Sequence, residues 1–107
     1  MKPTEISKAE KIVNDYSSLI QLFSDICTIT GYSEEQIRSS SRNRCLVDTR
    51  AAFAYIANEK FKTLMDKHIA EVINKDRTTV IAAIKQVKNV KEKMVVTNFI
   101  KNELHKM

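Results

Sequence analysis

Glycine and proline are almost missing from the chain, with one of each, Gly31 and Pro3. Sheet proteins turn through tight loops that draw on both residues, so an all-helical chain is favoured. No apolar run approaches the roughly 18 residues that a membrane-spanning helix requires. Glu5, Glu10 and Asp15 interrupt any apolar signal core at the N-terminus, so a cytoplasmic protein is expected. Cys27 and Cys45 are the only cysteines and His68 and His105 the only histidines, none with the spacing of a zinc site. The cysteines read as small, semi-buried side chains on helices. No nucleophile–base pair, carboxylate dyad or metal cluster is visible, so neither an enzyme nor a cofactor is expected.

What is present is positive charge in blocks. The 107 residues carry a net charge of +5 and form one domain with a modest core. Residues 1–31 hold three lysines against four acids. Residues 38–50 hold Arg38, Arg42, Arg44 and Arg50 against Asp48 alone, and residues 75–93 hold six basic groups against Asp76 and Glu92. Two basic blocks about 25 residues apart can converge in a compact fold as a phosphate-binding face, although solvated surface charge is the plainer reading.

In chain order, Ile6, Ala9, Ile12, Val13, Tyr16, Leu19, Ile20, Phe23, Ile26 and Cys27 recur at threes and fours. This predicts a helix from Glu5 to about Thr30, about 39 Å long if unbroken. Its second half should pack on the core. The first half, about residues 5–19, is either an arm folding back or a seam for a weak homodimer. Gly31 suits a left-handed C-terminal cap. Ser33, with Gln36 three residues on, forms a capping-box pattern for a short helix. Residues 39–45 read as a loop displaying Arg42 and Arg44. Asp48 or Thr49 then opens a helix with Phe53, Ile56, Ala57 and Phe61 as its buried stripe. Arg50 falls in its first turn on another face, where acids rather than bases suit the helix dipole, and a partner anion would explain it better.

Leu64 to Ile73 reads as a short helix, followed by a turn at Asn74, a residue that tolerates the left-handed conformation. Asp76 then caps a helix whose Val80, Ala83, Ile84 and Val87 form one buried face. Lys75, Arg77, Thr78, Lys85 and Lys88 remain outside that face. Helix, tight turn and capped helix with a polar N-terminus make a helix-turn-helix pattern, of a kind that a DNA major groove accepts. An ordinary surface helix is the competing reading of this stretch alone. The charges after Val90 mark a break or a continuation. Val95, Val96, Phe99, Ile100 and Leu104 then give a final amphipathic helix over about 94–106.

From about Ile20 to Val90 the chain resembles the C-terminal DNA-binding domain of the bacterial replication initiator DnaA. Arg42-Asn43-Arg44 stands where that family has a basic-loop Arg-x-Arg, and Arg50 where an arginine opens the following helix. Ile69-Ala70-Glu71-Val72-Ile73 and Lys75-Asp76-Arg77-Thr78-Thr79-Val80 resemble the family's Ile-Gly-x-x-Phe and Arg-Asp-His-Thr-Thr-Val. The resemblance implies an all-α, five- to six-helix, Trp-repressor-like fold, to which the apolar spacing adds a long N-terminal and a C-terminal helix. It implies sequence-specific binding of double-stranded DNA at an A/T-rich initiator-box-like site. Arg42 would enter the minor groove. Asp76, Arg77 and Thr78 would read base edges, and Arg50, Lys75 and Thr79 would contact phosphates or base-adjacent groups.

The chain departs from the pattern in three places. Arg77 replaces the usual His, Asn74 alone replaces a Gly-Gly turn, and Asp48 replaces a basic residue before the second arginine, weakening local phosphate attraction. Sequence preference is therefore expected to differ. With no GxxxxGK[ST] loop, a free-standing DNA-binding domain acting in bacterial or phage replication or transcription is expected. The alternative is a protein-interaction module that keeps the fold and engages a replication or regulatory partner.

Overall fold

In a computed structural model, which describes residues 7–107, the chain forms six α-helices. These are α1 (Lys8–Thr30), α2 (Glu34–Arg38), α3 (Arg44–Lys60), α4 (Asp66–Val72), α5 (Arg77–Asn89) and α6 (Lys91–Lys106). No strand occurs among the described residues. None of these helices is long and apolar enough to cross a membrane.

The centre is α3, which touches each of the other five helices. The single stripe expected for it understates its burial. Leu46, Ala51, Ala52, Phe53, Ala54, Ile56 and Ala57 are all buried, so it has apolar contacts nearly all round, as a core helix must. Four of these are alanines, whose small side chains let neighbouring helices come close. Phe53 meets Phe23 of α1 edge-to-face, with ring centroids 5.5 Å apart.

Ser7 caps α1 by accepting the Glu10 N–H, so the described helix starts three residues after the expected Glu5; Glu5 and Ile6 lie outside the described residues. It then runs unbroken through the boundary expected near residue 19. Leu19, Leu22, Phe23 and Ile26 are buried, whereas Ile12, Val13 and Ile20 of the same apolar series are exposed. The first half still touches the domain, because Thr63 donates a 2.6 Å hydrogen bond to Asp15 Oδ2 and the Tyr16 ring meets His68 at 6.2 Å. Gly31 ends α1 at φ 79, donating its N–H to the Cys27 carbonyl. The capping box at Ser33 and Gln36 is present, with bonds of 3.1 and 2.9 Å.

Val90 adopts an extended conformation and breaks α5 from α6, which starts at Lys91. On α6, Ile100 and Thr97 are buried, but Val95 and Phe99 are exposed although they belong to the expected apolar face. A polar contact fixes α6 on α3: Lys93 Nζ lies 2.6 Å from Asp48 Oδ1, with both side chains largely buried.

Candidate nucleic-acid interface

Helix α4, residues 73–76 and α5 form a helix-turn-helix whose turn is built by its backbone. Asn74 takes φ 56, the described chain's one positive φ outside glycine. Its N–H donates to the Glu71 carbonyl (3.2 Å), and the Lys75 N–H donates to the Ala70 carbonyl (2.9 Å). These two bonds are a Schellman ending, which satisfies carbonyls left free at the end of α4 and needs one left-handed residue. Asparagine fills that position at lower steric cost than other side chains carrying a Cβ. At the start of α4, His68 Nδ1 accepts the Met65 N–H at 3.0 Å, a role that the scattered histidines did not announce.

Asp76 caps α5, its Oδ1 accepting the Thr79 N–H at 2.8 Å. Thr79, through its side chain and then its N–H, holds the Asp76 carboxyl below its ordinary range. Val80, Ile84 and Val87 are buried against the core. Asp76, Arg77, Thr78 and Thr79 are all exposed at the opposite, N-terminal end. The helix is thus anchored along one face and presents a guanidinium, a carboxylate and two hydroxyls from its first turn.

The loop after α2 differs from the expectation in where it ends. α3 starts at Arg44 rather than at Asp48 or Thr49, because Asn43 caps it, accepting the Cys45 N–H at 3.0 Å. The polar first turn hid this start from apolar periodicity. Arg42 therefore stands in the loop and Arg44 on the first turn of a helix, both exposed. Cys45, expected to be semi-buried, is also exposed, and Cys27 is half-buried.

Arg50 needs a larger revision. It lies in the second turn of α3 and is 7% exposed. Its Nε donates to the Ile37 carbonyl at 2.6 Å and one terminal nitrogen donates to Ser41 O at 2.7 Å. The other terminal nitrogen donates to Ser39 O at 2.9 Å and Gln36 O at 3.2 Å. Protein carbonyls therefore account for this arginine without a partner anion. Burial pushes its pKa below the ordinary value.

Lys75 is half-buried and donates to the same Ser39 carbonyl at 2.6 Å. Burial first, and the Arg50 charge second, lower its pKa. Asn74 Nδ2 donates to Arg38 O at 3.3 Å, and Arg38 donates to Val72 O at 3.1 Å. These bonds bring the basic loop against the helix-turn-helix turn. A groove of about 310 Å³ between α3 and α5 is bordered by Arg50, Lys75, Thr79 and Gln86. Of the sequence-derived candidates, Lys75, Asp76, Arg77, Thr78 and Thr79 are contiguous at the start of α5, and Arg42 and Arg44 bracket the start of α3.

Sequence reasoning missed Arg38, Ser39 and Lys93. Ser39 and Arg38 offer main-chain carbonyls, and the Arg38 side chain bonds the Val72 carbonyl; such main-chain partners leave no mark in residue pattern. Lys93 pairs with Asp48, so the acid that stands where a base was expected has its charge compensated from α6. Arg44 Nε lies 3.9 Å from the other Asp48 oxygen.

Among comparisons with known proteins, the family model described as bacterial dnaA protein helix-turn-helix matches residues 21–87. No curated protein and no solved structure matches the chain.

Proposed function

The chain belongs to the bacterial DnaA helix-turn-helix family, a DNA-binding family, and on that premise we propose sequence-specific binding of double-stranded DNA in the regulation of replication or transcription. One observation carries the finer reading: the first turn of α5 is polar and exposed, while Val80, Ile84 and Val87 anchor the same helix from the other side. In this reading that turn enters the major groove. Arg77 has the planar fork for guanine O6 and N7, and the Thr78 methyl suits a thymine methyl. Asp76 uses Oδ1 in the cap and keeps Oδ2 for a cytosine amino group.

Arg42 enters the minor groove beside an A/T-rich box, where a narrow groove strengthens the negative potential that holds a guanidinium. Arg44, Thr79 and Lys75 face phosphates, Lys75 with the two ammonium protons not directed at Ser39. Residues of about 20–90 form the binding core, flanked by the arm at 5–19 and the helix at 94–106.

Fluorescence anisotropy tests this with a duplex carrying an A/T-rich initiator box and a scrambled duplex, each at two salt concentrations. Preference for the box, with affinity falling as salt rises, is the expected result. No binding to any duplex at low salt would refute it.

A protein-interaction role is the second reading, and a specific observation favours keeping it. The exposed apolar side chains Ile12, Val13, Ile20, Val95 and Phe99 all lie outside the matched span 21–87. Light scattering of the wild type and of Val13→Asp/Phe99→Asp tests self-association through these helices. A monomeric mass for both proteins would remove the homodimer.

A further inference from the structure

We propose that Arg50 and Lys75 are positioning residues: together they bolt the segment from Gln36 to Ser41 to α3 and to the helix-turn-helix turn, and so set where Arg42 stands relative to α5. The inference rests on the DNA-binding reading for its consequence, and on the free protein's geometry for its cause.

Arg50 directs its fork at four main-chain carbonyls, those of Gln36, Ile37, Ser39 and Ser41, and also reaches Ser39 Oγ at 3.4 Å. Gln36 and Ile37 lie in the last turn of α2, where the Gln36 carbonyl also accepts the Ser39 N–H and hydroxyl at 3.3 and 2.6 Å. A cation there also meets the negative end of the helix. Arg50 forms no ion pair with a described acid, so these carbonyl dipoles are the partners that its buried charge has. A guanidinium has five N–H groups. With Nε, one Nη1 proton and both Nη2 protons engaged, a single N–H remains, too few for a bidentate phosphate contact.

Ser39 O is the junction. Its two lone pairs receive Arg50 from α3 and Lys75 from the turn, at 2.9 and 2.6 Å. Crossed bonds beside it, Asn74 to Arg38 O and Arg38 to Val72 O, join the same two segments. Arg42 follows Ser41 directly, so its Cα is within one peptide step, about 3.8 Å, of a fixed residue. With the Asn43 cap of α3 fixing the other side of Arg42, these bonds hold the arginine in register with α5. The ordering cost of the loop is met in folding rather than on binding DNA.

The test is a double-mutant cycle with a readout in the free protein. Arg50→Lys keeps the charge but cannot span four carbonyls. Measured by anisotropy on the A/T-rich duplex, Arg42→Ala and Arg50→Lys are each expected to lose about fivefold or more in affinity. Arg50→Lys in the Arg42→Ala background is expected to lose less than about twofold further. Equal losses in both backgrounds would overturn the proposal, because a phosphate contact or a general loss of fold would act independently of Arg42.

Backbone order parameters of DNA-free wild-type protein give a second arm that does not depend on any variant folding. Residues 39–42 should be as rigid as the helices, with S² of about 0.85, and values below about 0.6 would overturn the proposal. If the wild type binds no duplex, the functional reading fails by itself, while the order parameters still decide whether the bolt exists.

Discussion

Lys93→Met is expected to destabilise the fold by about 2–3 kcal/mol, between the values for exposed and fully buried ion pairs. Lys93 and Asp48 join α6 to α3 at 2.6 Å, with side-chain exposures of 14% and 10%. Removing one partner of a fully buried pair costs about 3–5 kcal/mol, because the remaining charge is left without a counter-ion in a poor solvent. Exposed pairs contribute about 1 kcal/mol or less. Asp48 keeps a thin edge of solvent and has Arg44 at 3.9 Å, so the intermediate value applies. Methionine retains most of the apolar stem. The bond from Thr97 Oγ1 to the Lys93 carbonyl involves the main chain and survives the change.

Urea denaturation followed by circular dichroism measures the effect as a lower midpoint with an unchanged slope. Adding Asp48→Leu should recover most of the loss, since it removes the stranded charge. On DNA, Lys93→Met should weaken all duplexes alike, because the Asp48 carboxylate then has Arg44 alone as its counter-ion and offsets the charge that Arg44 offers to phosphate. A cost below about 1 kcal/mol would place the pair in the solvent-screened class and refute the burial argument. A double variant no more stable than the single one would show that packing of α6, not charge, had been lost.

Three shorter predictions concern Arg77, the Asp76 cap and the end of α1. Arg77→Ala should cost about 1–3 kcal/mol on the preferred duplex and relax specificity at one position, measured by competition against single-base variants; equal losses on every sequence would make Arg77 a phosphate contact. The Asp76 carboxyl titrates lower in the folded protein than in the unfolded chain. Its contribution is therefore complete above the unfolded value of about 3.9 and fades as pH falls through the lower folded value. Asp76→Asn should flatten that acid limb of the stability curve, and an unchanged limb would show that the cap is not what titrates. Gly31→Ala meets no atom within 4 Å, so only the left-handed backbone opposes it. The expected cost is about 1–2 kcal/mol by thermal melting, and a neutral result would mean that the end of α1 had relaxed out of its φ of 79.

Local chemistry made much of the architecture legible in the sequence. The caps at Ser33, Gly31 and Asp76, the left-handed turn at Asn74 and the buried face of α5 all depend on neighbours within a few residues. So does the order of polar side chains from Lys75 to Thr79. Apolar periodicity served less well for α1 and α6. Val13, Ile20, Val95 and Phe99 continue a helical pattern, yet whether such a residue is covered depends on which helix lies opposite, and these are left exposed.

The start of α3 was illegible for another reason: Asn43 caps a polar turn that has no apolar signal of its own. Arg50 is the largest case. By sequence it is a cation near the front of a helix and beside a basic loop, which favours an anionic partner. Only the tertiary structure reveals that the end of α2 and the loop turn their carbonyls toward it, because main-chain acceptors are the same in every residue and leave no trace in composition or spacing. The sequence by itself determined the all-helical order, the caps at Gly31, Ser33 and Asp76 and the turn before α5. The tertiary structure decided which charges face solvent and which hold the chain together, since burial and partnership are set by elements far apart along it.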